Sequence, residues 1–258
     1  MKRALVTGAA RRLGRAMALH LAARGHDVAV HFAASAAEAE AVCAEIRAMG
    51  RRAAALQADL LREADCAALV GRAAAALGGQ LTVLVNNASI FEHDTLASAT
   101  RESWDRHIGS NLRAPFVLTQ AFAAQAPPAD RSGPEPVAAG LVVNMIDQRV
   151  LKPTPEFMTY TIAKMALWAF TRTAAQALAP DIRVNAIGPG PTLRAARQGE
   201  EHFARQRRAT VLERGADEAD ITAALGYFLE AKAVTGQLIC VDGGQHLAWR
   251  TADVLGPE

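Results

Sequence analysis

Apolar residues in this chain fall in short continuous runs, separated by longer stretches where they recur every three or four positions. The runs are Ala4–Thr7, Val28–Phe32, Ala53–Gln57, Leu81–Asn86, Leu141–Met145, Arg183–Ile187 and Leu238–Val241. Strands of a parallel sheet covered on both faces read this way, because neither face meets water. The stretches between them predict helices. Ser35 and Glu38 form a capping-box pattern before an Ala-rich helix that stops near Gly50. One long helix is expected to carry Trp104 to Phe122, and another Phe157 to Leu178, ended by Pro180. Strand–helix alternation over the whole length predicts one domain, residues 1–258, of the α/β class. Its expected form is a Rossmann-type, doubly wound, parallel seven-stranded sheet with helices on both faces.

Two stretches are irregular. Pro127–Pro136 is rich in Pro, Asp, Ser and Gly and predicts a surface excursion. Gly188 to Gly215 begins Gly-Pro-Gly-Pro and then turns charged and weakly periodic. It follows a strand C-terminus, where ligands bind in open α/β sheets. That position predicts a substrate lid over about residues 190–215; an ordinary surface helix is the alternative.

Composition narrows the function classes. Of 258 residues, 51% are hydrophobic and 21% charged, enough for a full core. A net charge of +2 argues against a nucleic-acid or membrane-surface binder. Cys43, Cys66 and Cys240 are odd in number and far apart, with no zinc spacing, so a reducing cytoplasm is expected. The apolar run after Met1-Lys2-Arg3 stops at Arg11, too short for a signal peptide, and no segment is long enough to span a membrane.

Three motifs carry chemistry. Tyr160 and Lys164 are four apart, so a helix puts phenol and ammonium on one face. The ammonium is expected to lower the phenol pKa and let it pass a proton near neutral pH. Thr7-Gly8 follows the first strand, and Gly14 lies inside the next helix. Glycine allows close approach of a phosphate to the backbone, and the helix start offers N–H groups. In this turn the middle glycine of the usual dinucleotide pattern is Arg12. The second strand ends His31-Phe32-Ala33-Ala34-Ser35, without the acid that would bind a ribose diol. Arg11 is placed to reach a 2′-phosphate, and Ser35 opens a helix that adds N–H donors. The expected cofactor is therefore NADP(H). Asp59, with Leu60 after it, fits either an acceptor for the adenine edge or a helix N-cap, and both roles are compatible.

With Asn86-Asn87-Ala88, Asn111, Pro189-Gly190 and Asp242-Gly243-Gly244, these motifs resemble the short-chain dehydrogenase/reductase family along essentially the whole chain. The resemblance implies that Gly8, Arg11, Leu13, His31, Phe32, Ser35, Asp59, Leu60, Asn87, Ala88 and Ser89 line a cofactor site. Pro189, Gly190 and Thr192 are expected at its nicotinamide end. Lys164 is expected to bind the nicotinamide ribose, and Asn111 to hold a helix carbonyl and water in a proton relay to Lys164. Relatives are commonly tetramers, so a homotetramer acting on a small-molecule substrate is expected.

The family usually has serine thirteen positions before the tyrosine. Here that residue is Asp147. Asp147 and Arg12 both resemble the pteridine reductase branch, as do Ser89-Ile90-Phe91, His31-Phe32 ahead of Ser35-Ala36-Ala37-Glu38-Ala39, and Arg183-Val184-Asn185-Ala186-Ile187-Gly188-Pro189-Gly190. That likeness implies that Phe91 stacks a flat pterin on the nicotinamide, with Ser89 beside it, Arg12 bonding the pterin carbonyl or a cofactor phosphate, and Asp147 and Tyr160 facing the reduced bond. Ala33-Ala34 departs from the branch, which often has an arginine after His31-Phe32, and the stretch 193–208 matches it poorly.

The aspartate has a physical logic. Ketone reduction builds negative charge on oxygen, which an ionised carboxylate opposes. Reduction of a ring C=N instead needs a proton on nitrogen. The leading expectation is an NADPH-dependent reductase of a pterin-like C=N bond. Asp147, Tyr160, Lys164 and Asn111 are its expected catalytic residues. A short-chain carbonyl reductase and a non-catalytic NADP(H) sensor are the alternatives.

Overall fold

The computed structural model describes residues 2–194 and 198–249. Its strands are β1 Lys2–Val6, β2 His26–Phe32, β3 Ala53–Gln57, β4 Val83–Asn86, β5 Gly140–Met145, β6 Ile182–Pro189 and β7 Leu238–Val241. Each coincides with an apolar run. The helices are α1 Arg12–Ala23, α2 Ala36–Ala48, α3 Glu63–Leu77, α4 Arg101–Ile108, α5 Ala114–Gln125, α6 Met158–Ala177, α7 Glu200–Arg208 and α8 Glu218–Glu230.

All seven strands are parallel, in the order β3-β2-β1-β4-β5-β6-β7. From β1 the chain winds outward to β3. It then returns to the other side of β1 and winds outward to β7. The reversal lies between β1 and β4, where Leu5 pairs with Leu84 and Val6 with Val85. Helices turning to opposite faces at such a reversal leave a crevice beyond the strand C-termini.

The continuous apolar runs follow from coverage on both faces. Leu5, Ala29, Leu84 and Val142 pack with Leu69 of α3 and Phe122 of α5. Val6, Val30, Val85 and Val143 pack with Met17 of α1, Val42 of α2 and Phe228 of α8. Side chains alternate between faces as in any strand, but both faces are core. Phe122 and Phe228 are fully buried, each worth about 1.5–3 kcal/mol of transfer free energy.

Three local expectations change. The helix foreseen from Trp104 to Phe122 is interrupted by a wide, π-helical turn over Gly109–Arg113. Such turns swing side chains off the regular helical face, and this one carries Asn111 to a fully buried position. Ser35 precedes α2 but makes no side-chain cap bond, and the Glu38 carboxylate pairs with Arg11. Asp59 does not cap α3, whose N-cap is Arg62; its Oδ1 accepts the Leu61 N–H at 3.0 Å. The charged part of the expected lid is α7, which buries none of its residues. Residues 195–197 of the lid and Arg250 of the C-terminal tail lie outside the described residues.

Candidate active site

Thr7 leaves β1 and is tied at once to the end of β4. Its Oγ1 accepts the N–H groups of Asn87 and Ala88 at 2.9 and 3.0 Å. Asn87 Nδ2 donates back to the Thr7 and Gly8 carbonyls at 2.8 and 3.1 Å. Gly8 has φ +61°, and its N–H donates to His31 Nδ1 at 3.0 Å. The other ring nitrogen, Nε2, therefore carries the proton and donates to the Ala58 carbonyl at 3.1 Å. Burial pushes His31 down to about 4, so it stays neutral and joins β2 to the turn. A side chain at Gly14 would put its Cβ 2.1 Å from the Gly8 carbonyl oxygen. Glycine alone lets α1 start this close to the turn.

Arg12 keeps the backbone of the glycine it replaces. Its φ is +52°, a left-handed conformation costing a side-chain-bearing residue roughly 1–2 kcal/mol. The guanidinium reaches the segment after β6, donating to the carbonyls of Leu193 at 3.0 Å and Arg194 at 2.9 Å. The strain thus places a cation between the first turn and the segment after β6.

These elements wall a groove of about 450 Å³. Gly8, Arg11, Arg12, Leu13 and His31 line it from the first turn and β2, Asn87, Ala88 and Ser89 from the end of β4, and Pro189, Gly190 and Thr192 from the end of β6. Arg11 gives α1 no side-chain cap, so the helix start is left for an anionic ligand. The close glycines, uncapped helix and Arg11 fit a dinucleotide carrying an extra phosphate. Phe32, Ser35, Asp59 and Leu60 lie outside the groove walls. The Phe32 side chain belongs to the core, and Leu60 packs against the core's other face.

A second cavity of about 170 Å³ adjoins the groove, sharing Arg12, Pro189, Gly190 and Leu193 with it. Phe91 and Asp147 face this cavity. The Tyr160 hydroxyl donates to Asp147 Oδ2 at 3.0 Å. Lys164 Nζ donates to the Met145 carbonyl at 2.7 Å and stands 5.6 Å from the centre of the Tyr160 ring. Asn111 clamps one residue of the Phe91 loop: Nδ2 donates to the Ile90 carbonyl at 2.8 Å, and Oδ1 accepts the Ile90 N–H at 2.9 Å.

The electrostatics correct one expectation. Tyr160 is not made acidic. Burial first, and then the charge and hydrogen bond of Asp147, push its phenol well above the usual value. The ammonium sits over the ring, whereas the carboxylate touches the hydroxyl, so the carboxylate wins. Burial raises Asp147 against the pull of Arg149, Tyr160 and Lys164. Burial also lowers Lys164 to about 8, opposed by Asp147. Three groups this close titrate as a unit.

Phe91 is 38% exposed, and its ring is stacked on Phe157 at 4.4 Å between centroids and 4.6 Å from Tyr160. It is a supported platform rather than core. Phe91→Ala is expected to raise the Michaelis constant for a flat heterocycle and to leave the melting temperature nearly unchanged. A buried phenylalanine would lose about 3–5 kcal/mol instead, so thermal unfolding beside steady-state kinetics checks the assignment.

Several site residues were not foreseen. Phe157 was read only as a helix start, yet it has φ +56°, backs Phe91 and lies beneath the Arg149 guanidinium at 5.0 Å. Phe203 and Gln206 of α7, with Gln245, also line the cavity. Nothing in local periodicity marks these residues, because the lid and the C-terminal turn bring them in from a distance.

The matching family model is that of the short chain dehydrogenases, over residues 2–204. The crystal structure of FolM alternative dihydrofolate reductase 1 from Brucella suis, in complex with NADP, is 44% identical, with a TM-score of 0.90 and 98% of both chains covered. A short chain dehydrogenase from Burkholderia cenocepacia in complex with NADP is 34% identical, with a TM-score of 0.84 over 95% of this chain and 97% of the other. The 3-oxoacyl-[acyl-carrier-protein] reductase of Staphylococcus aureus is 33% identical over 95% of this chain and 98% of its own length. Family match, parallel sheet, glycine turn and Tyr160/Lys164 pair agree, and the chain belongs to the short-chain dehydrogenase family.

Proposed function

We propose that this protein is an NADPH-dependent reductase of a pterin-like C=N bond, acting on a dihydropterin or a related fused heterocycle. One observation carries the reading: the Asp147 carboxyl is hydrogen-bonded to the Tyr160 phenol in a cavity that the Phe91 ring also faces. The likeness to a dihydrofolate reductase in complex with NADP supports it.

Reduced nicotinamide, when bound, supplies the hydride. The first turn, Arg11 and Thr192 hold the cofactor, and Lys164 serves its ribose. Phe91 holds the flat ring. Asp147 and Tyr160 manage the proton that the ring nitrogen needs. When the carboxyl is protonated, the pair can release one proton and relax to a carboxylate accepting from the phenol. That relaxed state is the hydrogen bond seen here, so proton delivery leaves no phenolate beside a carboxylate. A ketone also needs a proton, on oxygen, but there an ionised Asp147 opposes the negative charge that develops beside it. The test is NADPH oxidation measured side by side on a dihydropterin and an acetoacetyl thioester. Turnover of the thioester alone would assign the ketone reduction of the Staphylococcus relatives instead. NADPH binding without turnover of either substrate would favour the sensor.

Arg11 decides cofactor choice in this reading. Wild type is expected to prefer NADPH, and Arg11→Ala to lose about 1.5–3 kcal/mol of phosphate contact, roughly ten- to hundredfold in affinity. The Arg11–Glu38 pair is exposed, so breaking it to take a phosphate costs little. Michaelis constants for both cofactors, in both proteins, check this; equal use by wild type overturns it.

A homotetramer suits the surface. Phe116 of α5 and Ile162 and Met165 of α6 are 37%, 37% and 43% exposed, apolar area that a second copy can cover. No helix among the described residues is long and apolar enough to cross a membrane, and all three cysteines are unpaired, which fits the cytoplasm.

A further inference from the structure

We infer that His107 is a positioning residue, the centre of a buried clamp that holds the Phe91 platform against Tyr160. The inference rests on the reading of Phe91 and Tyr160 as substrate platform and acid. Its parts are His107 near the end of α4, Thr159 in the first turn of α6, and Asp94 in the loop after β4. They are 0%, 2% and 2% exposed.

The hydrogen bonds run in one direction. The Glu92 N–H donates to His107 Nε2 at 3.1 Å, so Nε2 carries no proton and Nδ1 does. Nδ1 faces Thr159 Oγ1 at 2.7 Å, and the Thr159 hydroxyl donates onward to Asp94 Oδ2. Asp94 is fixed in turn. The Ser103 hydroxyl donates to Oδ2 at 3.1 Å, and the Thr159 N–H to Oδ1 at 3.2 Å. Burial raises the Asp94 carboxyl, but these bonds outweigh it and hold the group below its ordinary value.

The chain starts at the residue after Phe91 and passes through the residue before Tyr160. The imidazole also lies edge-on to the Tyr160 ring, 6.0 Å between centroids. One neutral side chain therefore sets the distance from platform to acid. Asn111 holds the other side of the same loop through Ile90.

The clamp has a direction in pH. A proton on Nε2 would set donor against donor at the Glu92 N–H and release the loop. The charged or titratable groups facing His107 are Asp94 and Glu92 from the loop, Arg106 from its own helix and Tyr160 from α6. Glu92 is itself paired with Arg106 at 2.7 Å. Burial dominates and lowers His107. A histidine lowered on folding binds fewer protons folded than unfolded. Its contribution is complete above the ordinary histidine value near 6.5 and is lost as pH falls below it.

The experiment compares His107→Phe and His107→Gln with wild type. Phenylalanine keeps the bulk and removes both bonds. Glutamine can accept the Glu92 N–H through Oε1 and does not titrate. His107→Phe is expected to raise the dihydropterin Michaelis constant about ten- to hundredfold, the scale for small misplacement of a positioned group, with NADPH affinity unchanged. His107→Gln is expected to match wild type at pH 7.5 and to lack the rise in Michaelis constant that wild type shows towards pH 5.5. Amide exchange over residues 89–95, corrected for intrinsic rates, supplies a readout free of substrate. Wild type should lose protection there as pH falls, and the glutamine variant should not. That comparison decides the clamp even if dihydropterins prove not to be substrates or the phenylalanine variant does not fold. Identical exchange and kinetic profiles in wild type and His107→Gln would overturn it.

Discussion

Tyr160→Phe is expected to lower dihydropterin turnover by about 10²–10⁴-fold, the usual worth of general acid catalysis, while NADPH still binds. The substitution removes one oxygen. That oxygen donates to Asp147 Oδ2 at 3.0 Å. The ring itself, 4.6 Å from Phe91, is kept, so packing survives. Asp147 is expected to become easier to protonate, because burial still raises it and the Tyr160 donor that stabilised its anion is gone. Single-turnover rates together with an NADPH binding titration measure the effect. Near-normal turnover would move the acid role to Asp147.

Asp147→Ser is expected to shift the enzyme away from pterins and towards simple ketones, with the pterin rate falling about 10²-fold. Serine gives a neutral hydrogen bond to a developing alkoxide, which a carboxylate cannot. It also removes the charge that, after burial, holds the Tyr160 phenol high. The pH dependence separates the two forms. Asp147 is raised on folding, so its acid form persists above the ordinary carboxylate range. The wild-type pterin rate should rise as pH falls into that window, and the serine variant should lose this limb. Profiles on a dihydropterin, with a ketone as control, provide the measurement. Identical profiles would make Asp147 structural and remove the main mechanistic support for a pterin substrate.

Much of this was legible along the chain, for identifiable reasons. A strand covered on both faces writes a run such as Val28–Phe32 into the sequence, and every residue of β2 is buried. Gly8 and Gly14 signal their turn because a side chain would be strained and crowded at Gly8 and would collide with the Gly8 carbonyl at Gly14. Tyr160 and Lys164 are linked by helical spacing, a local property. The expected capping box at Ser35 did not form: Ser35 makes no cap bond, and its acid, Glu38, is held by Arg11, a partner distant in sequence. The long helix before Phe122 was misread at Gly109–Arg113, since a single widened turn leaves no periodic trace.

By itself the sequence determined the fold class, the order of elements and the cast of reactive groups, because these depend on near-neighbour patterns and on residue identity. The tertiary structure alone decided what those groups do to one another. It buried the Tyr160 phenol and set the Asp147 carboxylate against its hydroxyl, and so turned the expected acidic phenol into a resistant one. It stacked Phe157 behind Phe91, stretched Arg12 to carbonyls of the segment after β6, and joined Glu92, His107, Thr159 and Asp94 through the interior. Protonation and orientation depend on distances of a few ångströms between residues far apart in the chain, and burial strengthens each such interaction.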